Sequence, residues 1–120
     1  MNKENRWIKL AALIPWEEFE EAYANQFSET GLGAPAKPFR MALGSLLIQE
    51  KMDIPDTEVV EQLRENPYLQ YFIGKEEYRD EPPFEASMLV HFRKRITAEM
   101  LKAINERIHE RIVKKNEQAR

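Results

Sequence analysis

The side chains best suited to chemistry or to ligand binding cluster between residues 87 and 96. This segment carries one hydroxyl, one imidazole and three cationic groups, which belong to Ser87, His91, Arg93, Lys94 and Arg95. Leu89, Phe92 and Ile96 are spaced i, i+3, i+7, so they predict a helix with an apolar back and a polar, basic front. A helix fits the major groove of B-DNA, where such groups contact phosphates and base edges. The predicted groove-facing residues are Ser87, His91, Lys94 and Arg95.

The charge of the chain is distributed unevenly. Residues 1–90 hold nine Lys/Arg against seventeen Asp/Glu, a net charge of −8, whereas residues 91–120 hold nine against four, a net charge of +5. A basic segment on an acidic body favours a polyanionic partner. The predicted phosphate contacts or tail charges are Arg93, Lys102, Arg107, Lys114 and Lys115. The alternative is an ordinary amphipathic helix, in which the cations at 93–95 form ion pairs with the many glutamates of the body.

The same sequence gives little support for an enzyme. The chain has no cysteine, which excludes disulfides, thiolate nucleophiles and iron–sulfur ligation. Its two histidines, His91 and His109, lack the i, i+4 spacing of a helical metal site, and no glycine-rich phosphate loop follows a strand. The sequence thus predicts no catalytic residue, no cofactor, no metal and no small-molecule substrate. No apolar run is long enough to span a membrane, so we expect no membrane partner and a cytoplasmic location.

Helices must position these groups. Proline and glycine divide the 120 residues, the length of one domain, into helical pieces, and no segment alternates apolar and polar residues as a strand would. A short apolar run at residues 7–13 precedes predicted helices at 15–27, 38–52, 56–65, 67–73 and 87–96 and a last helix after residue 97. Residues 28–37 and 75–84 are predicted loops. The expected fold is all-α, a compact bundle of about six helices with a helix-turn-helix-like part at 56–73 and a long C-terminal helix.

Local signals mark the ends of these helices. Asn66 and Pro67 are a predicted N-cap and first-turn residue, and Thr97 is predicted to cap the last helix. The apolar stripe of that helix consists of Leu101, Ile104, Ile108 and Ile112. Its outer turns can lack cover within one molecule and leave an apolar patch. This favours an alternative function, a protein-interaction module whose last helix pairs with a second copy or docks another domain.

Six segments occur in the order and spacing of a known family. They are LIPW at 13–16, SETG at 28–31 with Pro35, the leucine-rich FRMALGSLLIQ at 39–49, TEVVEQL at 57–63, ENPYLQYFIG at 65–74 and HFRKRI at 91–96. On these segments the chain resembles, from residue 7 to residue 108, the N-terminal domain of bacterial insertion-sequence transposases of the DDE type.

The resemblance implies that residues 1–120 are one DNA-binding domain, which recognises mobile-element ends in double-stranded DNA during transposition, near the nucleoid, alone or as a homodimer. In that family a separate ribonuclease-H-like domain holds the acidic triad, so a divalent metal would belong there. The only aspartates of this chain are Asp53, Asp56 and Asp80. None matches a triad member, so we expect no DNA cleavage by this chain alone. One departure is Glu85-Ala86, where relatives have Asp followed by Pro or Ser, and Ser87 is therefore a candidate cap.

Overall fold

Seven α-helices follow one another in a computed structural model of the protein, which describes residues 2–30 and 38–118. They are α1 (Arg6–Leu13), α2 (Trp16–Thr30), α3 (Phe39–Met52), α4 (Asp56–Glu65), α5 (Pro67–Phe72), α6 (Met88–Arg95) and α7 (Ala98–Gln118). The predicted all-α fold with a long C-terminal helix is confirmed. Among the described residues, the structure has one helix more than the predicted number of about six. In α1, which covers the apolar run at residues 7–13, the side chain of Asn5 accepts a hydrogen bond from the backbone N–H of Trp7 and so caps the helix.

The centre of the fold is α3, which is buried on every side over two turns. Residues 42–48 are buried without a gap, so no face of this segment is left for solvent. A helix that is apolar all round must be covered by other elements in all directions. Helices α2, α4 and α6 pack against α3 and supply this cover. The position of α6, the predicted DNA-binding helix, is therefore set by its packing on the core helix.

Helices α4 and α5 pack against each other across a tight corner. The side-chain oxygen of Asn66 accepts hydrogen bonds from the N–H groups of Tyr68 (2.9 Å) and Leu69 (3.4 Å), which confirms the predicted cap. The buried amide of Gln70 donates to the carbonyls of Leu63 (2.8 Å) and Arg79 (2.7 Å). Gln70 therefore fixes the corner to the loop that leads towards α6.

An arginine on α3 holds the C-terminal end of α5. The Arg40 side chain donates to the carbonyls of Phe72 (3.0 Å) and Tyr71 (3.1 Å), and its guanidinium lies 4.7 Å from the centre of the Trp16 ring. Gly74 follows with a φ of 89°, and a Cβ atom there would lie 3.1 Å from Cδ of Arg40. Glycine is favoured at this position because other residues rarely adopt this backbone conformation, and a side chain there would also press on Arg40.

The end of α2 differs from the prediction. The sequence predicts a helix ending near residue 27 and a loop from residue 28, but α2 continues to Thr30. Residues 28–30 contain no helix-breaking residue, and the first glycine is Gly31, so nothing in the local sequence stops the helix earlier. The rest of the predicted loop, residues 31–37, lies outside the described residues.

Helix α7 is docked along its first part and exposed along its last. Its 21 residues make it about 31 Å long. The Thr97 hydroxyl accepts a hydrogen bond from the N–H of Met100 (3.2 Å), as predicted for a cap. Ile104 and Ile108 of the predicted stripe are buried, whereas Ile112 is 38% exposed. None of the described helices is long and apolar enough to cross a membrane.

Two neighbouring positions of α3 predict opposite responses to alanine. The hydroxyl oxygen of Ser45 is buried with no hydrogen-bond partner among the described residues, so Ser45→Ala should raise the free energy of unfolding by about 1 kcal/mol. At Gly44 a Cβ atom would lie 3.0 Å from Cγ2 and 3.3 Å from Cα of Ile73. Gly44→Ala should therefore lower the free energy of unfolding by about 1–3 kcal/mol, despite the better helix propensity of alanine. Urea denaturation of both variants measures the two values, and changes of the same sign would contradict this packing.

Candidate nucleic-acid interface

One face of α6 is held in the core and the other is open to solvent. Leu89, Phe92 and the following Ile96 are buried, and the Phe92 ring lies edge-on to Phe84 with ring centres 5.3 Å apart. The exposed residues at i, i+3, i+4 and i+7 form a stripe along the opposite side, consisting of Ser87, Val90, His91 and Lys94. We call this set the α6 stripe. It is about 10 Å long, because α-helical residues rise 1.5 Å each.

The Ser87 hydroxyl does not cap α6. Ser87 has helical backbone angles (φ −59°, ψ −22°) and makes no capping hydrogen bond with its side chain, so the predicted capping role is wrong. Instead, the carbonyls of Glu85 and Ala86 accept hydrogen bonds from the N–H groups of Met88 (2.9 Å) and Leu89 (3.1 Å). A turn therefore leads directly into the helix, and it leaves the Ser87 hydroxyl exposed at the start of the stripe.

Arg93 is directed towards the body of the protein rather than away from it. Its guanidinium donates to both carboxylate oxygens of Asp56 at 2.9 and 2.8 Å and to the amide oxygen of Gln49 at 3.2 Å. The amide nitrogen of Gln49 in turn donates to Asp56 at 2.7 Å. These three residues form a network that joins α3, α4 and α6. Arg93 thus forms an ion pair within the protein. This agrees with the alternative in which the cations at 93–95 pair with acidic residues of the body, although the partner is an aspartate and not a glutamate.

The network changes the protonation of its members. Hydrogen bonding from Arg93, and then from Gln49, lowers the pKa of Asp56 below its ordinary value, although desolvation acts in the opposite direction. The same bond raises the pKa of Arg93. Asp56 therefore holds its negative charge to a lower pH than an ordinary aspartate, and with it the ion pair that links α4 to α6.

Arg95 lies beside α2 and is only partly exposed. Its charge acts on Tyr23, whose pKa is raised mainly by burial and lowered to a smaller extent by Arg95. The Tyr23 ring itself packs on Phe39, with ring centres 5.3 Å apart. Arg95 follows His91 by four residues but is less exposed than the α6 stripe, which contains the other three predicted groove-facing residues.

Among the predicted cations of α7, Arg107 is paired and the lysines are not. Arg107 donates to both carboxylate oxygens of Glu18 (3.0 and 3.1 Å) and to Glu110 (2.7 Å), which raises the pKa of Arg107 and lowers that of Glu18. The exposed lysines are Lys94 of α6 and Lys102, Lys114 and Lys115 of α7. Within the described part of the chain, none of these four forms an ion pair within 4 Å. Lys102 and Lys114 are about 18 Å apart along the helix axis.

The three aspartates occupy structural positions. Asp53 follows α3 with a left-handed backbone (φ 53°) and its N–H bonds to the carbonyl of Gln49 (2.8 Å). Asp56 belongs to the network with Arg93, and Asp80 pairs with Arg64 at 2.9 Å. Among the side chains that the structure describes, no three acidic or histidine groups lie together in a way that could hold a metal ion.

Residues 1–95 of the chain match a known protein family. The family described as Transposase domain (DUF772) matches residues 1–95. The chain belongs to this family of transposase domains. The matched region ends with the last residue of α6, so it includes the α6 stripe, whereas α7 lies beyond it. The transposase resemblance expected from the sequence is thereby confirmed.

A curated relative is also similar to this chain. The uncharacterised protein ORF8 in the nfe locus of Rhizobium meliloti is 37% identical over 107 residues, which are 86% of this chain and 51% of the relative. The chain therefore spans about half the length of this curated relative. No solved structure matches the transposase domain.

Sequence reasoning missed two features of this interface. Val90 was not predicted to face solvent with Ser87 and His91, although it lies three residues after Ser87 and the helical period alone places both on one side. The partners of Arg93 could not be found from spacing, because Asp56 and Gln49 lie 37 and 44 residues earlier in the chain.

The network predicts an acid-sensitive coupling between α4 and α6 of the transposase domain. A double-mutant cycle with Asp56→Asn and Arg93→Met should give a coupling free energy of about 1 kcal/mol at neutral pH, as for a partly exposed bidentate pair. Because the pKa of Asp56 is lowered by folding, this contribution is fully present above the ordinary carboxylate pKa of about 4 and is lost as the pH falls through the lowered value. Denaturation at several pH values measures it. A coupling near zero at neutral pH would contradict the network.

Proposed function

We propose that this transposase domain binds double-stranded DNA by placing α6 in the major groove, and that it recognises the ends of a mobile element in this way. The observation that carries the proposal is the α6 stripe. Ser87, His91 and Lys94 present a hydroxyl, an imidazole and an ammonium group side by side on a helix whose other face is buried. Such groups bond to base edges and phosphates.

The dimensions of the stripe suit this function. Its length of about 10 Å corresponds to about three base pairs at about 3.4 Å each. A recognition helix contacts about that number with the side chains of one face. Helices α4 and α5 form the corner that precedes α6 in the chain, and Asp56 on α4 bonds to Arg93 on α6. In this proposal the corner and α6 act as a helix-turn-helix-like unit, in which Arg93 positions the helix instead of contacting phosphate.

The exposed lysines supply the electrostatic part of binding. Lys94, Lys102, Lys114 and Lys115 are exposed and have no carboxylate partner within the described residues, so DNA phosphates can bind them without first breaking an ion pair. Arg107 is bound to Glu18 and Glu110. We therefore assign the phosphate contacts to lysines and a structural role to Arg107.

We further propose that this domain does not itself cut or join DNA and uses no cofactor or small-molecule substrate. Asp56 and Asp80 are engaged with arginines, and Asp53 ends α3 with a strained backbone angle. Binding of mobile-element ends would then be its contribution to DNA transposition, and its place would be the nucleoid of the cytoplasm.

The salt dependence of binding tests the proposal. If four lysines meet phosphates, log K should fall with log salt at a slope of about −3.6, and Lys94→Ala should reduce the slope by about 0.9. Fluorescence anisotropy with a labelled duplex of random sequence, over a series of salt concentrations, measures both values. Lys51→Ala removes an exposed lysine of α3 and is the matched control, for which the slope should not change.

Two results would contradict the proposal. The first is a flat salt response of the unmodified protein, because phosphate neutralisation always releases counterions. The second is an equal loss of affinity in Lys94→Ala and Lys51→Ala, which would mean that α6 contributes no more to binding than the surface of α3.

A double substitution on α6 gives a second test. His91→Ala/Lys94→Ala should abolish the gel shift of a duplex while leaving the melting temperature of the protein unchanged, since both side chains are exposed.

A second candidate function is protein association through α7. Ile112 and Val113 are consecutive residues near its C-terminal end and are 38% and 41% exposed. Ile112 continues the apolar stripe of Ile104 and Ile108 beyond the part that the protein buries, which favours packing of this end of the stripe against a second copy or another domain. Self-association is compatible with DNA binding, because paired element ends suit a two-fold symmetric dimer.

Sedimentation tests this second candidate directly. A concentration-dependent dimer at micromolar protein should become a monomer in Ile112→Lys/Val113→Lys, because the charges cannot be buried without a partner. Lys102→Ala on the same helix should leave the oligomeric state unchanged. A protein that sediments as a monomer at every concentration would argue against pairing of two copies through α7.

A further inference from the structure

Val90 is an apolar side chain at the middle of a polar stripe. It is 43% exposed, whereas its neighbours Leu89 and Phe92 on the same short helix are buried. It lies one turn after Ser87 and one turn before Lys94, and His91 is beside it. Helix stability does not account for this residue, since a β-branched side chain is less favourable in a helix than alanine.

The other large apolar residues that are exposed in the described part of the chain have different surroundings. The Tyr71 ring lies 5.5 Å from the Arg40 guanidinium, and the Tyr78 hydroxyl donates to the carbonyl of Arg64 at 2.8 Å. Ile112 and Val113 are consecutive residues near the end of α7. Val90 has a hydroxyl group one turn before it and an ammonium group one turn after it on the same face, which is the setting of a residue that contacts a polar ligand bearing an apolar group.

We infer that Val90 reads the 5-methyl group of thymine in the major groove. This inference rests on the proposed function. Thymine is the base that presents a methyl group in that groove, and apolar side chains are its natural contacts. If Ser87 meets one base pair, Val90 is about 4.5 Å further along the helix axis and meets a neighbouring one. Val90 would thus determine specificity at a base pair between those that Ser87 and Lys94 approach.

The expected energetic effect is small and well defined. Contact between the valine methyls and the thymine methyl removes roughly one methylene-sized group from water on the DNA side, which corresponds to about a fourfold gain in affinity. Ser87 and His91 bond to polar base edges that are the same in thymine and uracil. Removing the methyl group from the base therefore isolates the contribution of Val90 from the rest of the stripe.

The experiment compares thymine with uracil in a duplex chosen by the protein itself. A duplex is first enriched from a random library with the full chain, and a second duplex of the same sequence carries uracil in place of every thymine. Unmodified protein should bind the thymine duplex about fourfold more tightly for each methyl contacted. Val90→Ala should lose most of this preference, because the single alanine methyl lies further from the base than the two methyl groups of valine. Val113→Ala removes a valine of similar exposure from α7 and should keep the full thymine preference.

The outcomes separate this inference from the function on which it rests. If no duplex binds with a salt-dependent affinity, the proposed function itself fails. If DNA binds but the enriched duplex lacks thymine, or the preference for thymine is absent, Val90 does not read a methyl group. A preference that persists in Val90→Ala, or is lost equally in Val113→Ala, also overturns the inference. Circular dichroism melting of both variants verifies that each is folded.

Discussion

Burial of α3 on all sides is the constraint on which the rest of the structure depends. Seven consecutive residues, 42–48, are buried, so the helix is stable only while α2, α4 and α6 cover it. Each covering helix must turn an apolar face inward and therefore presents its polar face outward. The exposed stripe on α6 is a direct result of this requirement. The residues that face solvent on α6 are those that do not pack against α3.

Arginine and lysine have different tasks in this domain. Each arginine among the described residues contacts another group of the protein, such as the carbonyls that end α5 for Arg40, the Asp56 carboxylate for Arg93 and the Leu13 carbonyl for Arg111. The planar guanidinium is suited to such fixed, bidentate contacts. Of the lysines in the same part of the chain, Lys9 alone forms an ion pair, with Glu4. A count of cations in the sequence therefore overstates the positive charge that is free to meet a partner.

The sequence predicted much of the fold because its signals are local. Prolines, glycines and the caps at Asn66 and Thr97 act over one helical turn, and the bounds of α3 and α4 followed from them. The candidate site was predicted less completely, since its electrostatics depend on distant pairs. Arg107 and Glu18 are 89 residues apart, and no spacing rule brings them together. Ser87 was assigned a capping role by residue type, yet the backbone turn at residues 85–87 starts α6 without it.

The anchoring of α7 also bears on how a nascent chain folds. Arg111 bonds to the carbonyl of Leu13, 98 residues earlier, and Arg107 bonds to Glu18 on the following helix. A ribosome delivers residues in order, so α1 and α2 emerge first and receive these partners only after α7 has emerged. Closing so large a loop costs conformational entropy. Packing of the core around α3 must offset that cost before the hydrogen bonds of Arg107 and Arg111 can form. The contacts of α1 and α2 with α7 are thus among the last of this fold to form, after those of α1 with α5 and of α2 with α3.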